Sequence, residues 1–343
     1  MPLSSAPPAA PRGRGQIWAY AFGYFACYAP YSALTKLVSQ GRIPGMTRVV
    51  DGFELLPLTT IVSLLAMLTF LTARGWWRYA SRASVLGVTV IAPRRWTFLS
   101  GLATAAIIAS TTLAYTFQGV SIVFMMLLMR GGVLAIAPVV DAVGGRRVRP
   151  SSWAALALSL LGLVLTLRDG ASYELALAGI IDVGVYLTAY FIRLRVMSHV
   201  AKSDDRAASI RYFVEEQMVA TPAIVAFLAL LAVVGQGSVM LSLRAGFGML
   251  LGSGAALAAV AIGVLSQGTG IFGALILLDA RENAFCVPVN RASSVLAGVL
   301  ASATLAWAGL AHGLPASELW GAASVLAAIV VLATAPTAPR PPK

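Results

Sequence analysis

Residues 121–143 read SIVFMMLLMRGGVLAIAPVVDAV, a run long enough to cross a bilayer, with Arg130 near its middle and Asp141 a turn from its end. A span needs roughly 20 mostly apolar residues, because the hydrocarbon core is about 30 Å thick. Working outward, runs of the same kind recur at about 16–38, 53–73, 97–118, 153–167, 175–197, 218–234, 248–275, 284–309 and 318–336. The pattern predicts an all-α polytopic membrane protein of about ten transmembrane helices. The composition agrees. Of 343 residues, 59% are hydrophobic and 11% charged, with a mean hydropathy of +0.83. Soluble domains carry about 25% charged residues, so a water-soluble enzyme, a nucleic-acid-binding domain and a disordered chain are all disfavoured.

The net charge of +12 would suggest nucleic acid in a soluble protein. Here its distribution gives topology instead. With a cytoplasmic N-terminus, 18 of the 25 basic residues fall in cytoplasmic segments and four in outer ones: Arg42, Arg48, Arg168 and Arg244. This is the positive-inside bias, and it puts both termini in the cytoplasm. The expected partners are therefore membrane lipid and a small-molecule substrate, not nucleic acid; a homodimer is compatible with the sequence. The longest loops, about 74–96 and 198–217, are basic, and Trp76, Trp77 and Tyr79 suit a headgroup-level anchor. Cys27 and Cys286 lie inside predicted spans, which argues against a disulfide framework.

An internal echo appears at an offset of 161 residues. Phe124–Met–Met–Leu–Leu–Met–Arg130 aligns with Phe285–Cys–Val–Pro–Val–Asn–Arg291, each in the fourth predicted helix of a five-helix half. Five is odd, so the halves run in opposite senses through the membrane: two inverted five-helix repeats, the layout of many secondary transporters. The expected organisation is a cytoplasmic tail at 1–15, repeats at 16–167 and 168–336, and a Pro-rich cytoplasmic tail at 337–343.

Leu113–Ala114–Tyr115–Thr116–Phe117, Met129–Arg130, Pro138, Gly144–Gly145–Arg146 and Gly162 resemble the third-to-fifth-helix region of the drug/metabolite transporter superfamily, EamA-type. Ala189–Tyr190–Phe191, Glu216–Gln217, Ala220–Thr221–Pro222 and Pro288 with Asn290–Arg291 extend the likeness over roughly 16–336. The resemblance implies ten helices and transport of a small metabolite. The Asn290–Arg291 pair is similar to the ninth helix of the sugar-phosphate and nucleotide-sugar branches, but their tandem Lys–Arg is absent. With the Arg-over-Lys, Ala-rich composition, the resemblance also implies a bacterial inner membrane.

Arg130 and Arg291 stand about nine residues into their spans, roughly 14 Å along a helix. A central arginine costs at least about 2.5–3.5 kcal/mol to insert, so it faces a cavity or a partner. Two readings remain. Either the pair binds a carboxylate or phosphate from opposite walls, or each is locked to Asp182, Asp141, Asp279 or Glu282.

The first helix presents Tyr20, Tyr24, Tyr28, Tyr31 and Thr35 on one face, either a substrate wall or a packing seam. Lys36 near its outer end either snorkels or meets substrate. The sixth span repeats the theme with Asp182, Tyr186, Tyr190 and Arg193. Asp182 suits proton coupling, or an ion pair with Arg291. Tyr115 and Gln118 with Thr111, Gln267 with Ser266, and Asn290 complete the polar candidates, and Met125, Met126 and Met129 offer an adaptable or a lipid-facing surface.

Gly268–Thr–Gly–Ile–Phe–Gly273 spells a dinucleotide fingerprint, but it sits in an apolar helix with no βαβ unit around it. Its glycines, like those of Gly248–Met–Leu–Leu–Gly252, suit close helix packing or a break. His199 and His312 fall in predicted loops without companions at ligand spacing, so no metal and no cofactor is expected. Asp204–Asp205 and Glu215–Glu216 look like a solvated charge run, and nothing resembles a catalytic triad or a P-loop. The expected function is alternating-access transport of a small organic anion, not enzymatic catalysis. The rival readings are an integral-membrane enzyme and a flippase, each acting on a lipid-linked phosphate.

Overall fold

In the computed structural model, the described residues are 16–46, 48–85, 88–114, 117, 122–143, part of 150–161, 177–201, 205–248, 254–279, 283–310 and 316–334. The described residues are 85% helical. The helices are α1 (Gln16–Ser39), α2 (Gly52–Ala73), α3 (Arg95–Ala114), α4 (Ile122–Val143), α5 (Leu177–Val200), α6 (Arg206–Val234), α7 (Gly237–Gly248), α8 (Ala256–Leu277), α9 (Asn283–Trp307) and α10 (Ala316–Thr334). Among the described residues six are long and apolar enough to span a membrane by length and composition: α2, α3, α5, α6, α8 and α9. This is the architecture of an integral membrane protein. The expected span 153–167 lies largely outside the described residues; those described between 150 and 161 are helical.

Four expectations about the path of the chain are corrected. The segment 198–217 is not a loop, because α6 begins at Arg206, where the Asp205 carboxylate accepts from Ala207 N at 2.8 Å as an N-cap. His199, expected in that loop, lies in the last turn of α5. The expected span 248–275 is split between the end of the short helix α7 and α8. A C-cap at Gly235 (φ 63°) ends α6 and turns the chain into α7, and Arg244 then reaches back to the last carbonyls of α6, Ala232 O and Val233 O, at 2.8 Å each. Finally, the fold is not wholly α. The loop after α2 holds a 3-10 turn at Trp76–Tyr79 and an antiparallel hairpin, β1 (Arg82–Val85) and β2 (Val88–Ile91), with Arg82 opposite Ile91.

Trp76 is not an interfacial anchor. It is buried edge-on against Phe70 and Phe213, with centroids 5.2 and 5.6 Å away. The glycines of 268–273 serve packing, since α8 is continuous through them. A Cβ at Gly268 would meet Cys27 Sγ at 2.6 Å, and one at Gly273 would meet the Tyr24 ring at 2.9 Å. That close approach seats α8 on α1. The rest of the Gly248–Gly252 motif, and His312, lie outside the described residues.

In the centre of the bundle α1 packs on α8 and α9, α3 on α5 and α6, and α4 on α5 and α9. Their facing sides carry the polar residues described next.

Candidate functional site

Residues four apart share a helix face. On α5 this stacks Tyr186 and Tyr190 with ring centroids 4.7 Å apart, and on α1 it stacks Tyr24 and Tyr28 at 5.2 Å. Between these rings lie the two arginines. Arg130 of α4 donates through Nη1 to Tyr186 Oη and through Nη2 to Tyr28 Oη. Arg291 of α9 donates through Nη1 to the same Tyr186 Oη at 3.1 Å and through Nη2 to Tyr190 Oη at 3.0 Å. Tyr186 Oη therefore bridges the two guanidiniums. Arg130 Cζ also lies 5.2 Å from the Tyr28 ring and 5.3 Å from that of Tyr186, and Arg291 Cζ lies 4.9 Å from the Tyr190 ring. These π faces stabilise the cations without neutralising them.

Both arginines are buried, at 2% and 1% exposure. The ion pair expected between Asp182 and Arg291 does not form. The partners of Arg291 among the described residues are phenols, and Asp182 is buried with its Oδ2 accepting no hydrogen bond. A phenol is a neutral acceptor. Among the described residues, no carboxylate pairs with Arg291.

Beside this cluster lies a cavity of about 70 Å³ whose lining includes Arg130, Tyr24, Tyr28, Tyr31 and Tyr190, with Gln217, Gln267 and Asn290. A water needs roughly 10–15 Å³ of such space, so the cavity has room for a few waters. The predicted residues Arg130, Arg291, Tyr28, Tyr31, Tyr186, Tyr190, Gln267 and Asn290 are thus brought together. Tyr31 is further held to Thr112 Oγ1 at 3.0 Å. Lys36 is not at the cavity; it is buried beside the chain that follows α3, donating to Phe117 O at 3.3 Å. Tyr115 and Gln118 lie outside the described residues. Met125 and Met129 are buried, which removes the lipid-facing reading for these two.

The sequence reading missed the acidic centre below the cavity. Glu215 and Glu216 are fully buried on α6 and are not a solvated charge run. Glu216 accepts from Arg193 through both oxygens, Nε to Oε1 at 2.9 Å and Nη2 to Oε2 at 2.8 Å. Its Oε1 also accepts from Ser100 at 2.7 Å, Thr104 at 3.0 Å and Tyr212 at 3.0 Å, which ties α3, α5 and α6 together. Glu215 accepts from Ser81 N and Arg94 N at 3.2 Å each and from Thr97 Oγ1 at 2.7 Å, clamping both ends of the hairpin segment to α6. One signal was present: Tyr212 and Glu216 stand four residues apart, on one helix face. Among the described residues no cluster of His, Cys, Asp and Glu suits a metal ion.

No family model matches the chain, and no curated protein matches it. Fourteen solved chains do. One of them, described as "Crystal structure of protein", matches with a TM-score of 0.50 at 16% identity, over 93% of this chain and 96% of that one. That likeness is one of fold alone.

Proposed function

We propose that the protein is a secondary transporter of the drug/metabolite type, with ten spans in two inverted repeats, that moves a small organic anion by alternating access. The observation that carries this reading is the pair Arg130 and Arg291, one from each half, joined through Tyr186 Oη beside a buried cavity. Charges at such depth are expensive and mark substrate or ion pathways. Because the partners of Arg291 among the described residues are phenols, an incoming carboxylate or phosphate would gain from it charge-assisted bonds that the tyrosines cannot match.

Helix bounds support the repeat. Adding 161 to 16–39 gives 177–200, the bounds of α5; the same offset carries the end of α2 to that of α6, and the starts of α3 and α4 to those of α8 and α9. Packing agrees with the exchange. α1 on α8 answers to α5 on α3, α1 on α9 to α5 on α4, and α2 on α8 to α6 on α3. Asp182, buried without an ion partner among the described residues, is the carboxylate we assign to proton exchange in the cycle. We place the chain in a bacterial inner membrane with both termini cytoplasmic.

The test is a thermal-shift screen of the purified protein against carboxylates, sugar phosphates, nucleotide sugars and amino acids. Anions should stabilise it, and Arg291→Gln should abolish the response while leaving a folded protein. Arg291→Lys should rescue only in part, since lysine lacks the planar fork. A screen in which only neutral or cationic compounds stabilise the protein would overturn the reading.

A further inference from the structure

A second hollow lies on the outside of the bundle, between α3 and α5. This groove holds about 470 Å³, and its lining includes Leu99, Leu102, Gly184, Val185, Thr188 and Ile192. Thr188 is the one polar residue of that lining. Leu99, Leu102 and Val185 are exposed, so the groove opens on the side of the bundle that meets lipid. Gly184 keeps it open, since a Cβ there would meet nothing within 4 Å. At the 161-residue offset Gly184 answers to Gly23, where a Cβ would meet the Phe272 ring at 2.7 Å. The same place is thus filled by an aromatic ring between α1 and α8 and left open between α3 and α5.

Positive charge stands at one end of this groove. The start of α3 and the end of α5 lie together, because both adjoin the first turns of α6. Ser209 Oγ of α6 donates to Ala201 O, just past α5, at 3.3 Å, and Glu215 of α6 accepts from Arg94 N, just before α3, at 3.2 Å. Arg95 precedes Leu99 by one turn on α3, and Arg195 follows Ile192 by three residues on α5, so each shares the groove face of its helix at that end. Both arginines are exposed, and among the described residues neither pairs with a carboxylate. The carboxylates of α6 and its cap are engaged elsewhere: Asp205 by Ala207 N, Glu215 by Ser81, Arg94 and Thr97, and Glu216 by Arg193. Trp96, exposed with Arg95 Cζ 5.4 Å from its ring, suits the headgroup level of a bilayer.

An apolar trough that ends at two guanidiniums is complementary to a molecule with a hydrocarbon chain and an anionic head. Free phosphate would use the arginines alone, and a neutral lipid the trough alone. A second copy packed here in the same sense through the membrane would bring Arg74, Arg78, Arg82 and Arg94 against their own kind. We propose that the groove between α3 and α5 binds an anionic phospholipid, with an acyl chain along Leu99, Leu102, Val185 and Ile192 and the phosphate at Arg95 and Arg195. This site is separate from the central cavity and does not depend on the transport reading.

The purified protein in detergent is titrated with dioleoyl phosphatidylglycerol and dioleoyl phosphatidylcholine, which share their chains, and bound lipid is counted by native mass spectrometry. Phosphatidylglycerol should bind about tenfold tighter, since each arginine near the surface favours an anionic headgroup. Inorganic phosphate in excess should not displace it. Arg95→Gln combined with Arg195→Gln should abolish the preference. Arg74→Gln combined with Arg78→Gln removes the same charge outside the groove lining and should preserve it. Gly184→Phe fills the groove and should weaken both lipids about tenfold. Equal binding of the two lipids by the unmodified protein overturns the proposal, and that comparison needs no variant to fold. Equal loss of preference in both arginine pairs overturns it too, in favour of attraction to the basic surface at large. Displacement by inorganic phosphate, or a dimer that Gly184→Phe dissociates, would assign the groove to another occupant.

Discussion

Glu216 and Asp182 are both buried carboxylates, yet they should respond oppositely to neutralisation. Glu216 is gripped by Arg193 and three hydroxyls, so Glu216→Gln leaves a buried guanidinium without its counter-charge. Breaking one partner of a buried pair costs about 3–5 kcal/mol. The melting temperature in detergent should fall sharply, and the pairwise replacement Arg193→Met with Glu216→Leu should recover much of it. Asp182 has no cation partner among the described residues. Asp182→Asn should therefore keep or raise the melting temperature, and a loss as large as that of Glu216→Gln would reveal an ion pair after all. In liposomes the same Asp182→Asn protein should lose uptake driven by a pH gradient and retain counterflow exchange. Intact pH-driven uptake would end the coupling assignment.

At the scale of elements, the contact of α3 with α6 depends on Gly101. A Cβ there would stand 2.5 Å from Val219 Cβ and 2.9 Å from Glu216 O, closer than any side chain tolerates. Only glycine lets the two helices approach far enough for Ser100 and Thr104 to reach Glu216. Gly101→Val should separate them at a cost of about 1–3 kcal/mol, read as a lower melting temperature. Gly184 on α5 is the matched control, because a Cβ there meets nothing within 4 Å. Gly184→Ala should melt like the parent. If Gly101→Val also melts like the parent, the α3–α6 contact is looser than this packing requires.

At the scale of the molecule, contacts sort the loops between two ends. The hairpin segment and the start of α6 meet at one end, where Arg211 Nε donates to Tyr79 O at 3.2 Å and Glu215 holds Ser81 and Arg94. The start of α2 and the short helix α7 meet at the other, where a Cβ on Gly246 would lie 2.2 Å from Glu54 O. Basic residues crowd the first end: Arg74, Arg78, Arg82, Arg94, Arg95, Arg206 and Arg211. From the positive-inside bias we predict that this end faces the cytoplasm. Reporter fusions at residues 82 and 206 should read cytoplasmic and one at 244 external. Opposite readings at 82 and 206 would contradict the packing itself, not only the orientation.

Much of this was legible in the chain. Hydropathy located most of the spans because, without water, each backbone N–H and C=O must bond within its own helix, a local property of some 20 residues. The tyrosine stripe of α1 and the central arginines followed from helical period and from the expense of a charge at mid-span. The role of Glu216 did not. A carboxylate in a basic stretch looks solvated until Arg193, 23 residues away on another helix, is brought against it. The start of α6, the split before α8 and the burial of Trp76 had the same origin, since each depends on a neighbour that sequence spacing does not name. Tertiary packing alone decided that Tyr186 joins the two arginines and that Asn290 Oδ1 is buried without a donor among the described residues. Burial and pairing are properties of surfaces that meet, and only the folded bundle determines which surfaces those are.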